Sequence, residues 1–537
     1  MFNKKGNTLF IALLITAWII MLFVANPTGN FPTNDDYMYS RSVSFLLQDH
    51  AYKITDTYSP VLIAQVFWGT LFCLPFGFSY IALRVSVTVL AIVCSIAFYF
   101  LINRISNNKT LSFFGSLLIT CNPLFFCLSN SFMTDIPFLT FSLLSFIFFF
   151  RALESENRLM LFAAFIMATF ATFTRQLGII IPVAFAITAM LQPGQTAQKR
   201  FSHLLPAIVI ACLLYYALQV LTDKGYNPYN GERVTSFLTN TMLFDQIKGR
   251  CGLVLVYSGF FLFPLLIFMK NPFKGIRTVY KIWIVFFILL FIPPIRRVID
   301  LPLGNYINTG SLGPVTIKGG TGILQSFPPL LLTVLKWVAY AGAILLLAHI
   351  GKVVGRIIRS ITSADMNTDL KRKLFVCICL VAYVILISLP DFFFDRYILY
   401  TLPMIVLLIT PESIEGVIIT KPRAIVFASL VTVSLVLSAI GTHDYFEWQR
   451  VRWQADNYLT EDLKISPHKI DGGYEFNGLY LTTWSHPLKE GQSWWYVDDD
   501  EYIVAFDKQD GYNVIKEFSC KKYLPLMENV IYVLKRK

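Results

Sequence analysis

The sequence predicts a polytopic α-helical membrane protein of about thirteen spans that ends in a small α/β domain. Three observations predict it. The 537-residue chain is 55% hydrophobic and only 15% charged, a balance foreign to soluble globular proteins. Its apolar residues come in runs of membrane-spanning length rather than at amphipathic spacing. After about Thr442 the composition shifts, and Asp, Glu, Trp and Tyr become frequent.

The first run, Thr8 to Ala25, follows Lys4 and Lys5. A cleaved signal segment has the same basic start, but the length of the run and the spans that follow favour a retained helix. Spans are expected to begin near residues 8, 79, 111, 136, 159, 177, 204, 251, 282, 328, 374, 397 and 424, each about 15 to 23 residues long. With the N-terminus inside, Lys4, Lys5, Arg104, Lys109, Arg151, Lys352, Arg356 and Lys371 to Lys373 fall in cytoplasmic connections, as the positive-inside rule requires. An odd number of spans then puts the C-terminal segment outside the cytoplasm.

Two domains follow, a membrane module over residues 1–441 and an extracytoplasmic α/β domain over 442–537. In the second, a helix is expected around Phe446 to Leu463, with strands at Tyr502 to Phe506 and Val530 to Leu534. The first outer loop, 26–78, contains the apolar stretch Val61 to Leu74 between Pro60 and Pro75. That stretch is too short to span and is expected to lie along the membrane surface. The outer loop at 296–327 holds six glycines, Gly304 to Gly322, and reads as a mobile lid.

Several function classes can be set aside. The net charge of +12 reports cytoplasmic loops facing anionic lipid rather than a nucleic-acid partner. Nine cysteines are scattered, mostly within apolar runs, so no disulfide framework is visible. Neither they nor His50, His443, His468 and His486 have metal-ligand spacing, and no metal is assigned. No internal repeat marks a transporter built from inverted halves.

Four polar clusters fall on the outer side in this topology: Asp35-Asp36, Asp135, Arg175, and Asp391 to Arg396. Ionisable groups beside spans are costly and face a cavity or a partner. Sugar transfer from a lipid phosphate needs a base for the acceptor hydroxyl and a cation for the departing phosphate. Asp35 can supply the first and Arg175 the second, with Asp135 orienting the acceptor or holding Arg175. Structural readings stand beside these. Asp35-Asp36 is also a solvated turn or helix cap, and Asp135 before Ile136-Pro137 a helix start. Arg175 is also a headgroup-level helix end, and Asp395-Arg396 a local ion pair. Trp484 and Trp494-Trp495-Tyr496 are either sugar-stacking or core aromatics.

Taken in order, Asp35-Asp36-Tyr37-Met38-Tyr39, Tyr58-Ser59-Pro60, Met133-Thr134-Asp135-Ile136-Pro137, Thr174-Arg175-Gln176 and Asp395-Arg396-Tyr397 before Leu402-Pro403 carry a resemblance. The chain resembles the membrane glycosyltransferases of the GT-C fold, in the bacterial branch similar to protein O-mannosyltransferases (glycosyltransferase family 39) and lipid A aminoarabinose transferase. The segment Ile470 to Gly478 resembles one that follows the last span in bacterial relatives. The resemblance implies an inverting transfer from a polyprenyl-phosphate sugar to a lipid, glycan or protein hydroxyl at the outer face of the cell (inner) membrane. Asp35 is then the base, with Asp36 as neighbour or substitute; by charge and position, Tyr39, Asp135, Arg175, Asp395 and Arg396 are expected to bind substrate. No cofactor beyond the lipid-linked donor is implied. The family often has Asp-Glu at the acidic pair, and a lysine-glycine turn where this chain has Arg175-Gln176. A lipid-linked saccharide flippase or other transporter is the competing reading, but it needs charges along a mid-membrane path, and here they gather at one rim.

Overall fold

The computed structural model describes residues 4–53, 61–155, 157–192, 196–222, 243–270, 273, 285, 302–320, 327–363, 366–390, 392–411, 418–481, 497 and 499–537. The motif Tyr58-Ser59-Pro60, Asp391, Trp484, His486, Trp494 to Tyr496 and the start of the span expected near 282 lie outside them.

Helices α1 (Lys4–Ala25), α2 (Asp36–Gln48), α3 (Ile63–Cys73), α4 (Tyr80–Ser106), α5 (Lys109–Thr120) and α6 (Pro123–Ser129) open the chain. They are followed by α7 (Asp135–Ser155), α8 (Arg158–Thr174), α9 (Ile180–Met190), α10 (Ala197–Thr222) and α11 (Leu243–Leu266). The bundle closes with α12 (Pro329–Thr362), α13 (Thr368–Ile387), α14 (Thr401–Ile409) and α15 (Lys421–Asn457). Among the described residues seven helices are long and apolar enough to cross a membrane, and α5 with α6, bent by 65°, makes an eighth. The chain is therefore a multi-pass membrane protein.

Thirteen full spans are not reached among the described residues, and the reasons are local. Arg175 takes an extended conformation between α8 and a 3-10 turn at Gln176–Ile179, which divides the apolar stretch into two short helices. In α13, Lys371, Arg372 and Lys373 leave too short an uncharged run. Asp395–Tyr400 is a 3-10 turn leading into the nine-residue α14. As the two prolines suggested, α3 is short, and α2 lies in the same 26–78 loop.

One helix calibrates the two ends of the bundle. With 21 residues α7 is roughly 31 Å long, close to the hydrocarbon thickness of a bilayer. Asp135 opens it, and Glu154 near its other end pairs with Arg104 at the end of α4 and Arg372 at the start of α13. Between these ends the core is apolar, with isolated polar links such as Trp18 Nε1 donating to Ser95 Oγ at 3.2 Å. Helices α11 and α12 touch backbone to backbone where Gly259 meets Gly342.

The expected boundary at 441/442 falls inside α15, a single helix of 37 residues and roughly 55 Å. It leaves the bundle at the Asp135 end and carries the C-terminal segment there. A π-turn (Tyr458–Asp462) ends it, followed by β1 (Ile470–Asp471), α16 (Tyr474–Tyr480), β2 (Tyr502–Ala505), β3 (Tyr512–Tyr523) and β4 (Leu526–Arg536). The strands form one sheet in the order β1-β2-β4-β3, with β1 parallel to β2 and the other pairs antiparallel.

Glycine at the α11–α12 crossing is required by space. A Cβ on Gly342 would sit 2.1 Å from the Gly259 carbonyl oxygen, whereas one on Gly351 in the same helix meets nothing within 4 Å. We expect Gly342→Leu to lower stability by about 1–3 kcal/mol or more and Gly351→Leu to leave it unchanged, measured by thermal unfolding in detergent.

Candidate functional site

Asp35 immediately precedes α2, yet its side chain makes no capping hydrogen bond. Its Oδ2 instead lies 3.4 Å from both Nη1 and Nη2 of Arg396, while Oδ1 accepts the Tyr474 hydroxyl at 3.0 Å. The capping alternative therefore does not describe this carboxylate. The turn that presents it is fixed by Asn34, which adopts φ of 52°, a left-handed conformation that Asn tolerates better than most residues. The Asn34 amide donates to Glu475 Oε1 at 2.8 Å, and its side-chain amide donates to the Tyr306 hydroxyl at 3.1 Å.

A second carboxylate and guanidinium adjoin the first. Asp135 opens α7, with Pro137 in the first turn where its missing N–H costs nothing. Its Oδ1 accepts Arg175 Nη1 at 3.0 Å, an ion pair in which both side chains are largely buried. Arg175 reaches this position because Gly178 lets the chain fold back onto α8: a Cβ there would lie 2.3 Å from the Thr172 backbone nitrogen. The guanidinium carbons of Arg175 and Arg396 each stand 5.8 Å from the centre of the Tyr397 ring. Tyr39 is buried within the field of all four charged groups, and burial first, then Asp35, raises its phenol well above the ordinary value. Two arginines and two carboxylates thus form one cluster, and a guanidinium stays charged there because its proton is held so tightly.

Two expected site residues are placed differently. Asp36 turns away from Asp35 and is 2% exposed, with Oδ2 accepting the Thr33 hydroxyl at 2.9 Å and the Thr33 amide at 3.4 Å. The alternation of a helix start sends adjacent side chains in different directions, so the acidic pair divides between the cluster and the core. Burial pushes the Asp36 carboxyl up to about 7, against the opposing pull of Arg84 and the Thr33 hydrogen bonds. Asp395 is fully buried and makes no ion pair with its neighbour Arg396. It accepts the backbone amides of Tyr306 at 3.0 Å and Ile307 at 2.7 Å, and burial raises its carboxyl to about 6.

That contact also corrects the reading of the glycine-rich loop as a mobile lid. Over residues 302–320 the loop is pinned at many points. Leu303 N donates to the Tyr257 hydroxyl, Tyr474 N to Thr316 O, Phe506 N to Lys318 O and Gly320 N to Asp507 Oδ2. Lys318 Nζ lies 2.9 Å from the buried Asp471. Gly313 and Gly319 serve close approach and positive φ rather than freedom: Gly313, at φ of 87°, has the Tyr445 ring where its Cβ would be.

Sequence reasoning missed the groups that hold the cluster from the C-terminal side. Glu475 is fully buried, and its Oε2 accepts Arg452 Nη1 at 2.8 Å while Oε1 takes the Asn34 amide and, at 3.3 Å, Gln449 Nε2. Arg452, also fully buried, lies 3.7 Å from Asp456 one turn along α15. Gly473 is needed here, because at φ of 89° its Cβ would lie 2.5 Å from the Thr316 oxygen. The available signals were Arg452 and Asp456 at i, i+4 and the Asp471-Gly472-Gly473-Tyr474-Glu475 run. No group of three His, Cys, Asp or Glu side chains able to hold a metal ion occurs among the described residues.

Residues 61–217 match a family described as dolichyl-phosphate-mannose-protein mannosyltransferase. Over those residues the chain is related to that family. The match contains Asp135 and Arg175; Asp35, Asp395 and Arg396 lie outside it. ArnT from Cupriavidus metallidurans bound to undecaprenyl phosphate aligns at 12% identity over 99% of this chain and 98% of that chain, with a TM-score of 0.45. The archaeal oligosaccharyltransferase AglB from Archaeoglobus fulgidus, in complex with an inhibitory peptide and a dolichol-phosphate, aligns at 13% identity over 91% and 62%, with a TM-score of 0.44. The S. cerevisiae Pmt1-Pmt2 complex bound to the sugar donor aligns at 12% identity over 41% and 33%, with a TM-score of 0.33. No curated protein matches the sequence.

Two outcomes check the buried groups. Glu475→Ala leaves the Arg452 guanidinium without its closest carboxylate, and we expect a loss of about 3–5 kcal/mol in thermal or denaturant unfolding. Because the folded-state value of Asp36 lies above its ordinary 3.8, its burial is unopposed at low pH, and that stability is lost as pH rises towards 7. Asp36→Asn removes this loss, so the stability of the variant relative to the native chain should grow between pH 4 and 7, by at most about 1.4 kcal/mol per pH unit. A difference that stays flat across that range rejects the assignment.

Proposed function

We propose that the protein is an inverting glycosyltransferase that moves a sugar from a polyprenyl-phosphate donor to an acceptor hydroxyl at the outer face of the membrane. One observation carries this reading: Asp35 and the guanidiniums of Arg175 and Arg396 converge in one largely buried cluster at the end of an apolar bundle. The family match over residues 61–217 supports the same class of donor.

The chemistry follows from what each group can do. Phosphate oxygens suit a guanidinium fork, and two forks can neutralise a phosphate as negative charge develops on it. Arg396 is held to Asp35 at 3.4 Å, a long contact for an ion pair. A donor phosphate reaching the cluster competes for Arg396 and frees Asp35 Oδ2, while Tyr474 keeps Oδ1 in place. The freed oxygen takes the proton of the acceptor hydroxyl as its oxygen attacks the anomeric carbon. The bond from that carbon to the phosphate oxygen breaks, and the electron pair leaves on the polyprenyl phosphate. A single displacement inverts the anomeric centre and needs no covalent intermediate. Asp135, bonded to Arg175, sets the direction of that guanidinium. The acceptor is a cell-envelope lipid, glycan or protein.

The test is sugar release from a synthetic polyprenyl-phosphate sugar by the reconstituted chain. Asp35→Asn should retain folding and lose at least about 100-fold in turnover. Arg175→Ala should raise the donor concentration needed for half-maximal rate. Near-native turnover by Asp35→Asn would overturn the base assignment, and unchanged donor dependence would remove Arg175 from the phosphate site.

A further inference from the structure

The hairpin of β3 and β4 turns through Tyr523-Leu524-Pro525-Leu526-Met527. Exposed hairpin turns ordinarily carry Gly, Asn, Asp or Ser. This one carries none of them. Leu526 is 79% exposed and Tyr523 50% exposed, so the turn holds large apolar side chains in the open.

The place of the tip explains the pattern. The Asp444 carboxylate of α15 accepts the amides of Tyr523 and Leu524, the latter at 2.8 Å. Lys522 Nζ donates to the Gly310 carbonyl at 2.6 Å. The tip is thereby fastened to a membrane-crossing helix at a defined level. Beneath it Leu524 lines a cavity of about 190 Å³, otherwise walled by residues such as Leu332 and Leu335 of α12, Phe260 of α11 and Leu437 of α15.

Two helices give the depth of that level independently. On α15 the basic pair Lys421 and Arg423 marks the far end, and about 20 residues of helix, roughly 30 Å, reach the other hydrocarbon boundary near His443. On α12 the far end is marked by Lys352 and Arg356, and the same count back from each reaches Leu332 and Lys336, a basic residue that lines the same cavity and whose stem lets its ammonium reach the headgroup level. Leu332 and Asp444 both line the cavity together with Leu524. Both counts therefore end at the hairpin tip.

We propose that the tip of the β3–β4 hairpin is a membrane-inserted anchor, with Leu526 in the acyl region and Tyr523 at the headgroup level of the bilayer that the chain itself spans. A tyrosine suits that level because its ring is apolar and its hydroxyl is wet, and the exposed Lys521 just above it can reach lipid phosphates. The occupant of this face is lipid. The surface is continuous with the lipid-facing side of α12, where Leu330 and Trp337 are 77% and 69% exposed.

Depth-dependent quenching tests this in the full chain reconstituted in phosphatidylcholine and phosphatidylglycerol vesicles. An environment-sensitive fluorophore is attached at Leu526→Cys in a Cys212→Ser background, with labelled Cys212→Ser alone as the blank. Asp510→Cys, at the opposite end of β3 and roughly 35 Å away along the strand, is the aqueous control. The expected result is blue-shifted emission at position 526, with quenching by a spin label high on the lipid acyl chain about twofold or more stronger than by one near its end. Position 510 should show neither. A label at Tyr523→Cys gives a second reading from the other strand. Water-like emission at 526, or quenching independent of spin-label depth, overturns the proposal. Emission that shifts only as the protein-to-lipid ratio rises also overturns it, assigning the tip to a second copy of the chain. None of these readouts depends on enzymatic turnover.

Discussion

A fully buried carboxylate must be matched, and the matching of Glu475 organises much of this molecule. Burying an ion without a partner costs several kcal/mol, so the partners of such a group are fixed wherever it goes. Glu475 draws on Arg452 and Gln449 from the long helix α15 and on the amide of Asn34 from the turn after α1. The turn before α2 and a C-terminal segment 441 residues later are thereby set against one another. Asp35 stands next to one of them, and Tyr474, beside Glu475, completes its hydrogen bonding. The turn that carries Asp35 is thus held by the same segment that buries Glu475.

The same logic separates groups that look alike in the sequence. Asp36 and Asp395 are buried carboxylates held in place by hydroxyl and backbone donors, with Asp36 Oδ1 left without a hydrogen bond among the described residues. Asp35 and Asp135 are matched by arginines, partners that a phosphate can also engage. The distinction that matters chemically is therefore the kind of partner, since all four side chains are acidic and mostly sheltered.

How much could be read from residues alone follows from the same distinction. Spans are visible because twenty apolar residues have few other fates, and charges at their ends are visible because they interrupt the runs. Asp35, Asp135, Arg175 and Arg396 were singled out in this way. The partner of Asp395 is a backbone roughly ninety residues earlier, and backbone amides leave no mark in composition. Six glycines suggested freedom, yet at Gly313 and Gly319 they allow the backbone to approach Tyr445 and Asp507. Glycine reports lack of a side chain, and only the surroundings decide whether that brings motion or contact. Glu475 and Arg452 were missed because they lie in a segment whose polar composition suits a solvated surface, and only tertiary packing removes them from water.

The continuity of α15 has a further physical consequence. A stiff rod roughly 55 Å long converts a change in angle at one end into displacement at the other: about 3° of tilt moves the far end by about 3 Å. Helices tilt when the apolar layer around them thickens or thins. Gln449 and Arg452 ride on the far portion of that rod and hold the glutamate beside Asn34. A change in the tilt of the rod would therefore be felt first at the groups that hold Asn34, the neighbour of Asp35.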